Sequence, residues 1–129
     1  MLYAVNNTIA YNEANGNNWY GICLHESSNN IITENNASYN RYFGLYTLNS
    51  SNTRISYNSF VGNGNNTGEH GYGIFIRSSN DTVTANNYIA ESSGIRTAYG
   101  IRVNTSLNIS SDNSTITRNE CSPPLNRVN

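Results

Sequence analysis

The chain has 129 residues, enough for one ordinary domain, of which 36% are hydrophobic and only 12% charged. A formal net charge of −1 gives no basic field for nucleic acid, and the low charge argues against charge-rich disorder. No apolar run approaches the roughly 18 residues of a membrane-crossing helix, and Met1-Leu2-Tyr3-Ala4-Val5 is too short for a signal peptide and lacks its basic start.

Asn is the commonest residue, at 26, and there is no Lys. The Asn residues fall at fixed offsets from aliphatic ones, which separates this chain from Asn-rich low-complexity sequence. In chain order, Ile9 is followed by Asn12. Then come a short alternating run, Tyr20-Gly21-Ile22-Cys23-Leu24, a turn at Ser27-Ser28-Asn29, and the step Ile32/Asn35. The set returns as Phe43-Gly44-Leu45, Ser50-Ser51-Asn52 and Ile55/Asn58. It returns again as Tyr72-Gly73-Ile74, Ser78-Ser79-Asn80 and Val83/Asn86, and finally as Tyr99-Gly100-Ile101, Ser110-Ser111-Asp112 and Ile116/Asn119. Measured on the aliphatic residue, the steps are 23, 23, 28 and 33 residues. The basic unit is therefore about 23 residues, lengthened near residues 64–69, 91–97 and 104–108 by inserted loops.

Within each unit the period is two, the runs are short and bounded by Asn, Ser and Gly, and no helical stripe of useful length appears. A unit this short, made only of strands and turns, buries a core by lying flat on the next one. The expected fold is all-β: a single-stranded parallel β-helix of about five coils, with neighbouring strands about 4.8 Å apart. Ile22, Leu45, Ile74 and Ile101 should form one interior ladder, and Ile9, Ile32, Ile55, Val83 and Ile116 another. Asn12, Asn35, Asn58, Asn86 and Asn119 should form a stacked column, with a shorter one at Asn17, Asn40 and Asn63. Asn there would supply left-handed turn residues and hydrogen bonds along the column. Tyr20, Phe43, Tyr72 and Tyr99 share parity with the core aliphatics and read as a stacked, partly buried ladder. Cys23 and Cys121 lie at unlike positions of the unit, so two free thiols are expected.

The pattern Tyr-Gly-Ile-x-Leu, Ser-Ser-Asn-Asn, Ile-Thr-x-Asn resembles the parallel β-helix repeats of carbohydrate-binding and sugar-hydrolase type. Such repeats occur in archaeal cell-surface proteins, in polysaccharide lyases and hydrolases, and in the accessory protein that helps mature nitrous oxide reductase. The resemblance runs from about Asn6 to Asn119. It implies the right-handed handedness and places any substrate groove on the glycine-strand sheet. Residues 1–129 are read as one β-helix domain, expected to be a fragment of a longer solenoid or a unit that stacks end to end.

Function should be grafted onto the positions that break the repeat. The outward residues of the glycine strands include His25, Tyr46, Phe75, Arg77 and Arg102, bordered by Glu69, His70, Glu91 and Arg96. Aromatic rings with Arg and Glu beside them suit sugar, because guanidinium groups pair with uronate carboxylates and hydroxyls. Catalysis is less supported. Glycoside hydrolysis needs a carboxylate pair about 5–10 Å apart, whereas Asp81 and Asp112 sit in turns and no catalytic Lys or Asp cluster exists. Cys23 and His25 on one strand do not make a metal site, so no metal and no cofactor is expected. Asn65, Asn104 and Asn108 are sequon asparagines in inserted stretches, candidates for N-glycosylation. The resulting expectation is a cell-surface or extracellular (or periplasmic) structural or adhesive module that binds polysaccharide or associates end to end. The alternative is a part of a lyase, hydrolase or epimerase whose catalytic coils lie elsewhere.

Overall fold

A computed structural model of the chain describes residues 4–64, 71–77, 82–85, 87–90, 97–104 and 115–122. In chain order its strands are β1 (Thr8–Ala10), β2 (Tyr20–His25), β3 (Ile31–Thr33), β4 (Phe43–Leu48), β5 (Arg54–Ser56), β6 (Ser59–Val61), β7 (Gly71–Arg77), β8 (Val83–Ala85), β9 (Tyr88–Ala90), β10 (Thr97–Asn104), β11 (Thr115–Thr117) and β12 (Glu120–Ser122). They form three parallel sheets. Sheet A runs β1-β3-β5-β8-β11, sheet B runs β6-β9-β12, and sheet C runs β2-β4-β7-β10. The isolated bridges Glu13↔Asn36 and Asn36↔Ser59 continue sheet B toward the N-terminal coils. Each coil visits A, B and C in turn, so every strand pairs with its counterpart one coil away.

The interior is a set of stacked columns. Ile22, Leu45, Ile74 and Ile101 are in register on sheet C and buried, as expected from the sequence. Beside them Leu24, Thr47 and Ile76 form a second column, also buried. Ala37, Phe60 and Ile89 fill the core from the sheet B side.

Sheet A corrects the expected register at one coil. Ile9, Ile32 and Ile55 are aligned, but the partner of Ile55 is Thr84, not Val83, and Thr84 in turn pairs with Ile116. Thr84 is fully buried, and Val83 pairs instead with the exposed Arg54. A one-residue slip exchanges the two faces of a strand. Here the slip puts a hydroxyl into an aliphatic ladder, where Thr84 Oγ1 accepts a hydrogen bond from Asn119 Nδ2 at 3.1 Å.

The same slip moves the Asn column from Asn86 to Asn87. The column reads Asn12, Asn35, Asn58, Asn87, Asn119, with steps of 23, 23, 29 and 32 residues. From Asn35 onward each Oδ1 accepts twice from the preceding coil. Asn58 Oδ1 takes the backbone N–H of Asn35 at 2.9 Å and its Nδ2 at 3.0 Å. Nδ2 of Asn35 and of Asn58 each also donates to two backbone carbonyls: for Asn58, those of Ile32 and Ser56, both at 3.0 Å. Asn17, Asn40 and Asn63 repeat this at a second corner. A third column, Asn7 and Asn30, stands where the Ser-Ser-Asn turn ends.

The ladder Asn residues are not the left-handed ones. Positive φ falls one residue earlier, at Tyr11, Glu34, Tyr57 and Arg118 for the first column and at Gly16, Tyr39 and Gly62 for the second. At the remaining corners it falls at Asn6, Asn29 and Asn52, and at Glu26 and Asn49. The left-handed residue makes the bend and the next one turns its side chain into the solenoid. The Ser pair works the same way: Ser50 is buried and its Oγ accepts the backbone N–H of Ser27 at 3.0 Å.

Asn58 is nearly solvent-free and saturated with hydrogen bonds, so its replacement is expected to be costly. Asn58→Ala should lower stability by at least about 3 kcal/mol in urea unfolding, through several buried groups left without partners. Asn58→Asp, nearly isosteric, should cost as much or more at neutral pH, because a carboxylate oxygen would replace the amide that faces the oxygens of Ile32, Ser56 and Asn87. The Thr47 hydroxyl is buried without a partner. Thr47→Val should therefore stabilise the fold by about 1 kcal/mol in the same assay.

Candidate ligand-binding face on sheet C

The recurring aromatic–Gly–aliphatic motif has a steric origin. A Cβ on Gly44 would lie 2.5 Å from Phe60 Cδ1 and 2.8 Å from Asn63 Nδ2, both core groups. On Gly21 it would meet Ala37 Cβ at 2.7 Å, and on Gly73 Ile89 Cγ2 at 2.4 Å. These glycines thus face inward, yet so do the aliphatic residues that follow them, Ile22, Leu45 and Ile74. Two successive inward positions break the alternation of the strand, and the first fits only if it has no side chain.

The broken alternation overturns the expected parity of the aromatics. Tyr20, Phe43 and Tyr72 form the anticipated stack, with centroids 5.1 Å apart between Tyr20 and Phe43 and 5.3 Å between Phe43 and Tyr72. They pack, however, against the outward column Tyr46–Phe75, with Tyr20 and Phe43 half-buried and Tyr72 buried beneath its neighbours. The Tyr20–Tyr46 centroids are 5.0 Å apart, Phe43–Phe75 5.2 Å and Tyr72–Phe75 5.3 Å. Trp19 and Tyr42 add a third, stacked pair at 5.1 Å on the same border. The result is one continuous aromatic field across sheet C.

Arg102 closes this field. Its guanidinium lies 5.3 Å from the centroid of Tyr72 and 5.5 Å from that of Phe75, and Nη1 donates to the Tyr72 hydroxyl. Cation–π contact on two rings holds the charge at a fixed place on the surface. Arg41 lies over Tyr42 at 5.8 Å on the opposite side of the field. Arg77, exposed, shares a column with Leu48 and His25. His25 Nε2 is 3.9 Å from Glu26 Oε1, the one carboxylate beside this face among the described residues.

Of the side chains expected from sequence, Tyr46, Phe75, Arg77, Arg102 and His25 are brought onto this one face. Glu69, His70, Glu91 and Arg96 lie outside the described residues, as do Asn65 and Asn108. Asn104 ends β10, with only its backbone described. Sequence reasoning missed Trp19, Arg41 and Tyr42. The doublets Trp19-Tyr20-Gly21 and Tyr42-Phe43-Gly44 carried the signal, since only one ring of each could have followed a strict alternation into the core.

Ring orientation limits what this face can do. Tyr20 and Phe43 are nearly parallel in their stack, at 4°, so their faces are spent on one another and their edges turn outward. Aromatic edges carry the positive part of the ring quadrupole. With the guanidinium groups they make the face attractive to anions. Among the described residues no group of three or more His, Cys, Asp or Glu could hold a metal ion.

A family model described as a right handed beta helix region matches residues 1–123. The chain belongs to the right handed beta helix family. The parallel three-sheet course described above is that family's architecture, and the all-β parallel expectation stands. No curated protein and no solved structure matches the chain.

Cys23 is a free thiol in the same outward column as Tyr46, Phe75 and Arg102. Cys121 stands on sheet B, in register with Ile89. Desolvation raises the Cys23 pKa, so its thiol stays protonated to higher pH than in the unfolded chain. Between the unfolded and the raised folded value, alkylation by iodoacetamide should therefore run slower in native protein than in urea-unfolded protein. The difference should close above the folded value. Mass spectrometry of the Cys23 peptide across a pH series measures it, and equal rates throughout would refute it.

Proposed function

We propose that this β-helix is a non-catalytic extracellular or cell-surface module that binds acidic polysaccharide along the outer face of sheet C. The supporting observation is the aromatic field of Tyr20, Phe43, Tyr46, Tyr72 and Phe75, ending on the fixed guanidinium of Arg102. Edge-on rings and guanidinium groups both favour a carboxylate or sulfate on the ligand, and Arg presents two N–H groups in the geometry a carboxylate accepts. Identical strand spacing from coil to coil suits a polymer lying along the solenoid axis, since each coil then meets the next sugar at a similar height. The face is open, so binding would be multivalent along the chain and weak per sugar.

A glycan array with uronate-containing, sulfated and neutral polymers tests this. Wild-type protein should bind acidic polymers, and Tyr46→Ala, Phe75→Ala and Arg102→Gln should each lose about ten-fold or more in affinity, about 1.4 kcal/mol. Raising salt should weaken binding, as expected for exposed charges. Absence of any acidic hit with correctly folded wild-type protein removes the reading.

A further inference from the structure

The left-handed corner residues are unevenly chosen. On the corners that flank sheet A's entry and sheet C's exit they are mainly Asn: Asn6, Asn29, Asn49 and Asn52. On the two corners that flank sheet B they include Tyr11, Tyr39 and Tyr57, with φ of 58°, 57° and 58°. A left-handed φ is tolerated by Asn and is unfavourable for a bulky side chain, so backbone preference does not select tyrosine there. Packing does not select it either, because the three are 76%, 50% and 59% exposed. Tyr88, at the start of β9, is 42% exposed on the same side.

These rings differ from those of sheet C in what they turn to solvent. Among the described residues, Tyr39, Tyr57 and Tyr88 stack on no other ring and their side chains make no hydrogen bond, while about half of each residue is open to solvent. Glu34, the exposed residue between Tyr11 and Tyr57 in the corner column, lies near enough for its carboxylate charge to raise the Tyr11 phenol pKa. Tyr11 and Tyr57 are two coils apart, about 10 Å by strand spacing. Glu13 is exposed just beyond Tyr11, and Glu120 shares the Tyr88 column. The side carries carboxylates where sheet C carries guanidinium groups, with Arg118 a cation at the C-terminal end of the same corner column.

We infer that the corner bearing Tyr11, Glu34, Tyr57 and Tyr88 is a second binding site, for an uncharged extended glycan lying along the solenoid axis. The weakly positive axial C–H hydrogens of a pyranose meet the negative face of a tyrosine ring. The spacing of Tyr11 and Tyr57 places every second sugar over a ring, and Glu34 accepts hydrogen bonds from hydroxyls between them. The carboxylates disfavour a uronate chain. The site uses none of the side chains of the sheet C reading and stands without it.

Isothermal titration of the full chain with cellohexaose, an uncharged probe, and with hexagalacturonate, an acidic one, separates the two faces. Wild type should bind cellohexaose, Tyr57→Asn should weaken this at least ten-fold, and Tyr11→Asn/Tyr57→Asn should abolish it. Both variants should match or exceed the wild-type Tm, because Asn suits the left-handed corner better than Tyr. A fall in Tm would make the tyrosines structural and overturn the inference. So would wild type that ignores cellohexaose, or a double variant that binds it as wild type does. Hexagalacturonate binding reports sheet C alone, so failure of one site is distinguishable from failure of the other.

Discussion

The fold depends on how a solenoid hides its corners. Where a strand ends and the chain bends, backbone N–H and C=O groups lose their sheet partners, and a thin solenoid has no room for water to reach them. Asn is the residue that resolves this, because one side chain carries both an acceptor and two donors. In the column from Asn12 to Asn119 each Oδ1 receives the backbone N–H and the Nδ2 of the coil before, while the Nδ2 of each interior member reaches carbonyls of its own coil or the preceding one. A chain with a fifth of its residues as Asn is thereby able to bury polar side chains as ladder rungs. Their number compensates for an aliphatic interior that is only a few side chains wide.

The glycine columns are the other half of that economy of space. Sheet C turns toward sheet B across so short a distance that Gly44 has Phe60 against it and Gly73 has Ile89. With the interior closed to a side chain, the strand places two residues inward in succession and pushes the preceding aromatic out. The aromatic field on sheet C is thus a consequence of core tightness, and its rings stabilise one another. Pair interactions of this kind contribute about 0.5–1.5 kcal/mol each. The field therefore has a structural role of its own.

Two surfaces with opposite character follow from one repeat. On sheet C the rings face each other along the axis, and Arg41, Arg77 and Arg102 provide the charge. Around the corner at sheet B the rings stand alone, and Glu13, Glu34 and Glu120 provide it. Neighbouring coils repeat backbone geometry closely enough that any outward residue is multiplied at a regular spacing. That regularity is why a β-helix with few distinctive residues can still offer extended, chemically defined faces.

The repeat made the solenoid legible: Ile22, Leu45, Ile74 and Ile101, and Asn17, Asn40 and Asn63, were found at the positions their spacing assigned, because stacking allows no other arrangement of a period-two unit. The register of the fourth coil was not legible, since Val83 and Asn86 matched the pattern as well as Thr84 and Asn87 do. Only pairing with β5 and β11 decided between them, by putting the hydroxyl of Thr84 within reach of Asn119. Nor could the sequence say which way Tyr20, Phe43 and Tyr72 point, because that depends on the gap between sheets C and B. The left-handed residue was placed one position late for the same reason, its φ being set by the bend that closes the coil. Sequence alone determined the fold and its columns outside the fourth coil; tertiary structure decided that register and which residues face out, because facing is a property of the space between coils and not of the spacing along the chain.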